Sequence, residues 1–74
     1  MTVTPKYMEL ANHFRGQIRT GALQPGDRLP SISELLDEFG YSAHTIRSAM
    51  LTLKAEQLVE GRVGEGVFVR ELGD

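Results

Sequence analysis

Only three residues, Gly40-Tyr41-Ser42, separate two segments whose apolar residues repeat at helical spacing. Before the gap, Ile32, Leu35, Leu36 and Phe39 fall three and four apart, and after it Ile46, Ala49, Met50 and Leu53 do the same. Both stripes need a core to cover them, and so short a gap turns one helix sharply onto the other, with Gly40 ending the first and Ser42 capping the second. Ser31-Ile32-Ser33-Glu34 is a Ser-x-x-Glu capping box that opens the first of the pair. A helix over about 32–39, a tight turn and a longer helix over about 43–56 form the outline of a helix-turn-helix.

The flanks complete a single α+β domain over residues 1–74, with three helices and a C-terminal two- to three-stranded β-wing. Tyr7, Leu10, Ala11, Phe14 and Ile18 predict a first helix over about 4–20, capped by Thr4, with Pro5 in its first turn and Gly21 at its stop. Gly21 to Pro30 is too rich in glycine and proline for a helix, and Arg28-Leu29 leans extended ahead of Pro30. After about residue 58 the period changes. Leu58 to Val63 and Val67 to Arg70 are β-branched and aromatic, with Gly64-Glu65-Gly66 as the hairpin loop of a wing over about 58–70. A lone hairpin is marginal in water, so the wing must pack on the helices, with Arg28-Leu29 as a candidate third strand.

Composition narrows the function classes. Seventy-four residues, 41% of them hydrophobic, build one modest core. With no cysteine, and with His13 and His44 far apart, neither a disulfide, a metal site nor a cofactor is expected. No nucleophile motif or phosphate loop points to an enzyme. No apolar run exceeds three residues and the first residues lack a signal-peptide pattern, so no membrane partner and a cytoplasmic location are expected. The net charge of −2 speaks, taken alone, against a partner as acidic as DNA. Its distribution speaks otherwise: residues 32–40 carry Glu34, Asp37 and Glu38 and no base, whereas residues 41–55 carry Arg47 and Lys54 and no acid.

Three blocks in order, from Ile18-x-x-Gly21-x-Leu23-x-Pro25-Gly26-Asp27-Arg28-Leu29-Pro30-Ser31 through Phe39-Gly40-Tyr41-Ser42-x-x-Thr45-Ile46-Arg47-x-Ala49-Met50-x-x-Leu53 to Gly64-x-Gly66-x-Phe68-Val69, resemble the DNA-binding head of GntR-type bacterial transcription regulators. The resemblance implies a winged helix whose recognition helix enters the major groove and whose wing lies near the minor groove, usually as a dimer on a palindromic operator. It implies a repressor more than an activator. Such regulators normally add a larger C-terminal effector domain. With Asp74 following directly on the wing, this chain is expected to be a head without its sensor and to hold no small-molecule effector site.

With Ile46, Ala49, Met50 and Leu53 turned to the core, the other face of the helix over about 43–56 presents Ala43, His44, Thr45, Arg47 and Ser48 as candidate readers of DNA. Arg47 can fork onto guanine or pair with a phosphate. His44 sits where the family varies most, and Thr45 matches the family's phosphate- or base-contacting threonine. Tyr41 and Ser42 start the helix, Ser42 first as a cap and second as a phosphate ligand. Ser31 and Ser33 at the head of the preceding helix, and Arg62, Gly64 and Gly66 in the wing, complete the candidate set.

Departures from the family pattern point to weakened binding. Arginine is usual where Ser33 stands and frequent at Ala43, and a basic residue followed by threonine is frequent where Glu65 and Val67 stand. Three missing phosphate contacts flatten the salt dependence by roughly 0.9 units each. A winged-helix protein-interaction module with reduced or lost DNA binding is therefore the alternative, using an exposed helix or wing edge for a protein partner. A homodimer, including one assembled only on DNA, is compatible with either reading.

Overall fold

The computed structural model describes residues 3–71. Its elements follow the order α1 (Lys6–Thr20), α2 (Ile32–Phe39), α3 (Ala43–Ala55), β1 (Val59–Arg62) and β2 (Gly66–Val69). Helix α1 buries Leu10, Ala11 and Phe14 and ends at Gly21, whose φ of 87° is left-handed. Thr4 is not its cap. Pro5 holds that position with φ −59° and ψ 151°, no side chain caps the helix, and the Pro5 carbonyl accepts from the N–H groups of Met8 and Glu9 at 3.0 Å each. Pro5 is itself extended, so the helix begins at Lys6 and the Thr4 hydroxyl lies one position too early to cap it.

Helix α2 carries the full capping box: Ser31 Oγ accepts from the Glu34 N–H at 3.2 Å, and the Glu34 carboxylate accepts from the Ser31 N–H at 3.2 Å. Of its apolar stripe only Leu35 is fully buried, while Ile32 and Leu36 each keep 36% of their surface exposed. The two-turn helix meets the rest of the core along one ridge, and its outer apolar residues stay at the margin. Helix α3 is the central element, burying Ile46, Ala49, Met50 and Leu53. It stops at Ala55, one residue earlier than its pattern suggests. Leu58 N–H donates to the Leu53 carbonyl at 3.1 Å and Gln57 N–H to that of Lys54 at 2.9 Å, an end normally built on glycine. Here Gln57 takes the left-handed φ of 62°.

Strands β1 and β2 pair antiparallel in the register Val59↔Val69, Glu60↔Phe68, Gly61↔Val67 and Arg62↔Gly66. Val59 and Val69 close the core from below, beside Leu29. The candidate third strand is one bridge long: Arg28 pairs with Phe68, fixed by Leu29 N–H to the Val67 carbonyl and Val69 N–H to that of Asp27, both 2.8 Å. Pro30 on one side and the Pro25-Gly26 turn on the other prevent its extension. Among the described residues no helix is long and apolar enough to cross a membrane.

Candidate nucleic-acid interface

The first turn of α3 is organised by two hydroxyls. Ser42 Oγ accepts from the Thr45 N–H at 3.1 Å and lies 3.0 Å from Thr45 Oγ1, to which it donates. Both hydroxyls stand beside the N–H groups at the positive end of the helix. His44 and Arg47 are exposed on this helix, with Ala43, Thr45 and Ser48 half-buried between them and the core. Arg47 has no ion-pair partner among the described residues. The Ser48 carbonyl accepts from Thr52 Oγ1 at 2.9 Å.

A groove of about 600 Å³ runs between the head of α2, the flank of α3 and β2. It brings together Ser31, Ser33, Arg47 and Gly66 from the expected set. Its charged lining is Arg28, Arg47 and Lys54, with no carboxylate. A shallower depression of about 610 Å³ under the hairpin holds Arg62, Gly64 and Gly66, together with Glu65. Tyr41, Ser42, Ala43, His44, Thr45 and Ser48 line neither depression. Tyr41 instead stacks on Phe39 with centroids 5.7 Å apart, and the Lys6 ammonium sits 5.9 Å from its ring centre.

Arg62 is partly engaged within the wing: its guanidinium lies 4.3 Å from the Phe68 ring centre and 3.5 Å from the Glu60 carboxylate. Gly64 takes φ 77° in the hairpin turn, and Gly66, at φ 122°, is the first residue of β2 rather than part of the loop. A Cβ on Gly66 would approach Arg28 Nε to 2.9 Å, because that nitrogen donates to the Glu65 carbonyl at 3.2 Å. Arg28 thus ties the connector to the wing tip.

Arg28 and Lys54 are the groove residues that the residue-by-residue reading passed over. Lys54 had a signal: Arg47, Leu51 and Lys54 recur four and three apart on one exposed face of α3. Arg28 had a fainter one, since alternation on an extended segment turns it outward when Leu29 is buried.

The model of the family described as bacterial regulatory proteins, gntR family, matches residues 6–69. The chain belongs to the GntR family. Among GntR relatives, the mannosyl-D-glycerate transport/metabolism system repressor MngR of Escherichia coli (strain K12) is 43% identical over 67 residues, which are 90% of this chain and 28% of that protein. The HTH-type transcriptional repressor NagR of Bacillus subtilis (strain 168) is 38% identical over 88% of this chain and 27% of its own length. The chain therefore spans little more than a quarter of these curated relatives. Among solved structures, the AraR DNA-binding domain in complex with operator ORX1 superposes with a TM-score of 0.87 and 34% identity, over 90% of this chain and 81% of that one. The winged-helix architecture of a GntR head is thus present, with Ser33, Ala43 and Glu65 exposed or half-buried on the surface as neutral or acidic groups.

Proposed function

We propose that this chain is the operator-binding head of a bacterial transcriptional repressor, acting in the cytoplasm on duplex DNA and carrying out no catalysis itself. The observation that carries this reading is the sign of the groove beside α3. In a chain of net charge −2, every charged side chain lining it is a cation. An acidic surface elsewhere costs little when the contacting face is positive, because solvent and salt screen charges beyond about 10 Å.

In this reading α3 enters the major groove by its N-terminal turn. His44 and Arg47 read base edges or phosphates, and Thr45 donates its hydroxyl proton to a phosphate. Ala43 and Ser48 make close van der Waals approach to the groove wall. Ser31, Ser33, Tyr41 and Ser42 meet the sugar–phosphate strand beside α2 and the turn, and Arg62, Gly64 and Gly66 meet it at the wing. Two heads occupy the half-sites of a palindromic operator as a dimer. The likeness to an operator-bound AraR domain supports the DNA partner.

A second reading, docking of a protein partner on the same face, is favoured by the 64% exposure of Leu51 and the full exposure of Val63 at the wing tip. One experiment separates them. Anisotropy titration of the gene's own upstream region, at two salt concentrations, should show salt-dependent binding that Arg47→Ala abolishes. No binding to any upstream fragment at low salt would leave the protein-docking reading standing instead. Sedimentation with and without the bound fragment reports whether two heads assemble on DNA.

A further inference from the structure

A recognition helix in the major groove and a wing at the minor groove place one sugar–phosphate strand over the saddle between them. In this chain that saddle is occupied by two cations. Arg28, Lys54, Gly66 and Val67 line both the groove beside α3 and the depression under the hairpin, so the two basic side chains stand where the two hollows meet.

The Lys54 side chain reaches from the helix to the wing. A Cβ on Gly61, in the middle of β1, would lie 3.1 Å from the Lys54 ammonium nitrogen and 3.4 Å from its Cε. The lysine therefore crosses the face of β1 at Gly61. Glycine inside a strand weakens it and often marks a close approach by another group. Gly61 has no left-handed φ that would call for glycine, and the end of the Lys54 side chain packs against the space a Cβ would take. Arg28 is held from the other side by its hydrogen bond to the Glu65 carbonyl. Two of the nearby carboxylates are engaged: Glu34 accepts from the Ser31 N–H while lying close enough to Arg28 to feel its charge, and Glu60 faces Arg62; Glu65 is exposed at the turn, on the depression under the hairpin. Lys54 has no ion-pair partner among the described residues.

We propose that Arg28 and Lys54 together bind one backbone phosphate of duplex DNA at the saddle between α3 and the wing, with Gly61 and Gly66 keeping the approach open. The site rests on the reading of this face as a DNA-binding surface. It supplies charge at a place other than Ser33, Ala43 and Glu65, where the sequence lacks it. One neutralised phosphate releases condensed counterions, giving a salt slope of roughly 0.9 per contact.

The test is anisotropy with a labelled random-sequence duplex of about 30 base pairs across a low-salt series, long enough to span more than two helical turns. Wild type, Lys54→Gln, Lys54→Arg and Arg47→Ala are compared, with circular dichroism confirming the fold. Lys54→Gln should bind several-fold more weakly at low salt and show a shallower slope, by up to about 0.9, and Lys54→Arg should restore both. Adding Arg28→Gln to Lys54→Gln should cost less than Arg28→Gln alone, because both cations serve the same phosphate. Unchanged affinity and slope in Lys54→Gln, alongside a clear loss in Arg47→Ala, would overturn the saddle site and leave the DNA reading intact. Strictly additive losses for the two cations would overturn the shared phosphate. A wild-type protein that binds neither this duplex nor the gene's own upstream region at low salt would remove both readings together.

Discussion

Arg15 and Glu56 join the middle of α1 to the C-terminal cap of α3 by two parallel hydrogen bonds, Nε to Oε1 at 2.7 Å and Nη2 to Oε2 at 2.5 Å. The residues are 41 positions apart in sequence. Arg15 also donates to Asn12 Oδ1, one turn earlier on α1. This clasp ties the C-terminal end of α3 to α1.

The clasp makes stability depend on acid. Hydrogen bonding from Arg15 holds the Glu56 carboxyl below its ordinary value of 4.5, against a weaker opposing effect of burial. A depressed folded value means that the contribution is complete above the unfolded value and disappears as pH falls through the folded one. Glu56→Gln should flatten the fall in urea midpoint below about pH 5 and leave the slope near neutrality unchanged. Part of the acid loss should survive, because the Ser31 N–H and hydroxyl hold Glu34 low in the same way. An acid limb identical to wild type would show the clasp to be unformed in solution.

Ser42 has two roles that a single substitution can separate. Aspartate caps a helix as well as serine does and favours the positive helix end, so Ser42→Asp should keep stability within about 0.5 kcal/mol of wild type. Its carboxylate would repel a phosphate, and duplex affinity should fall. Unfolding titrations and anisotropy on the same variant check both halves; unchanged affinity would reduce Ser42 to a cap.

Gln57 carries a cost that the fold does not require. Its φ of 62° lies in the left-handed region, which glycine enters freely. Gln57→Gly should raise stability by about 0.5–1 kcal/mol after the greater flexibility of the unfolded chain is set against the relieved strain. Thermal and urea unfolding report the sign directly, and a destabilised variant would contradict the strained end of α3.

Gly66 is constrained twice, by φ 122° and by Arg28 Nε at 2.9 Å from any added Cβ. Gly66→Ala should cost roughly 1–3 kcal/mol and loosen the wing, as seen by faster amide exchange in β2. Removing the clash with Arg28→Ala should recover only part of that loss, since the backbone strain remains. Full recovery would assign the whole effect to the side-chain clash.

Much of the fold is legible from short-range chemistry. The α3 stripe of Ile46, Ala49, Met50 and Leu53 is buried throughout, and the Ser31–Glu34 box and the Gly21 and Gly40 stops all form. These features depend on neighbours three or four residues away, which a sequence displays openly. Thr4 failed as a cap for an equally local reason that Pro5 conceals. The exposure of Ile32 and Leu36 is a different matter, because a stripe shows which residues could be buried and not how much partner surface reaches them.

The amino-acid sequence by itself determined the order of elements, the tight turn between α2 and α3, and the set of residues at the head of the recognition helix. Hydrogen-bonding geometry, helical period and the φ preferences of glycine and proline act within a few residues. Tertiary structure alone decided what lies across from what. Arg15 found Glu56, Arg28 reached the wing tip, and Lys54 crossed Gly61, pairings set by how three helices and a hairpin close on one core. The −2 charge therefore says little about partners until packing sorts it: Arg28, Arg47 and Lys54 are gathered into one groove, while Glu34 and Glu56 are held on Ser31 and Arg15.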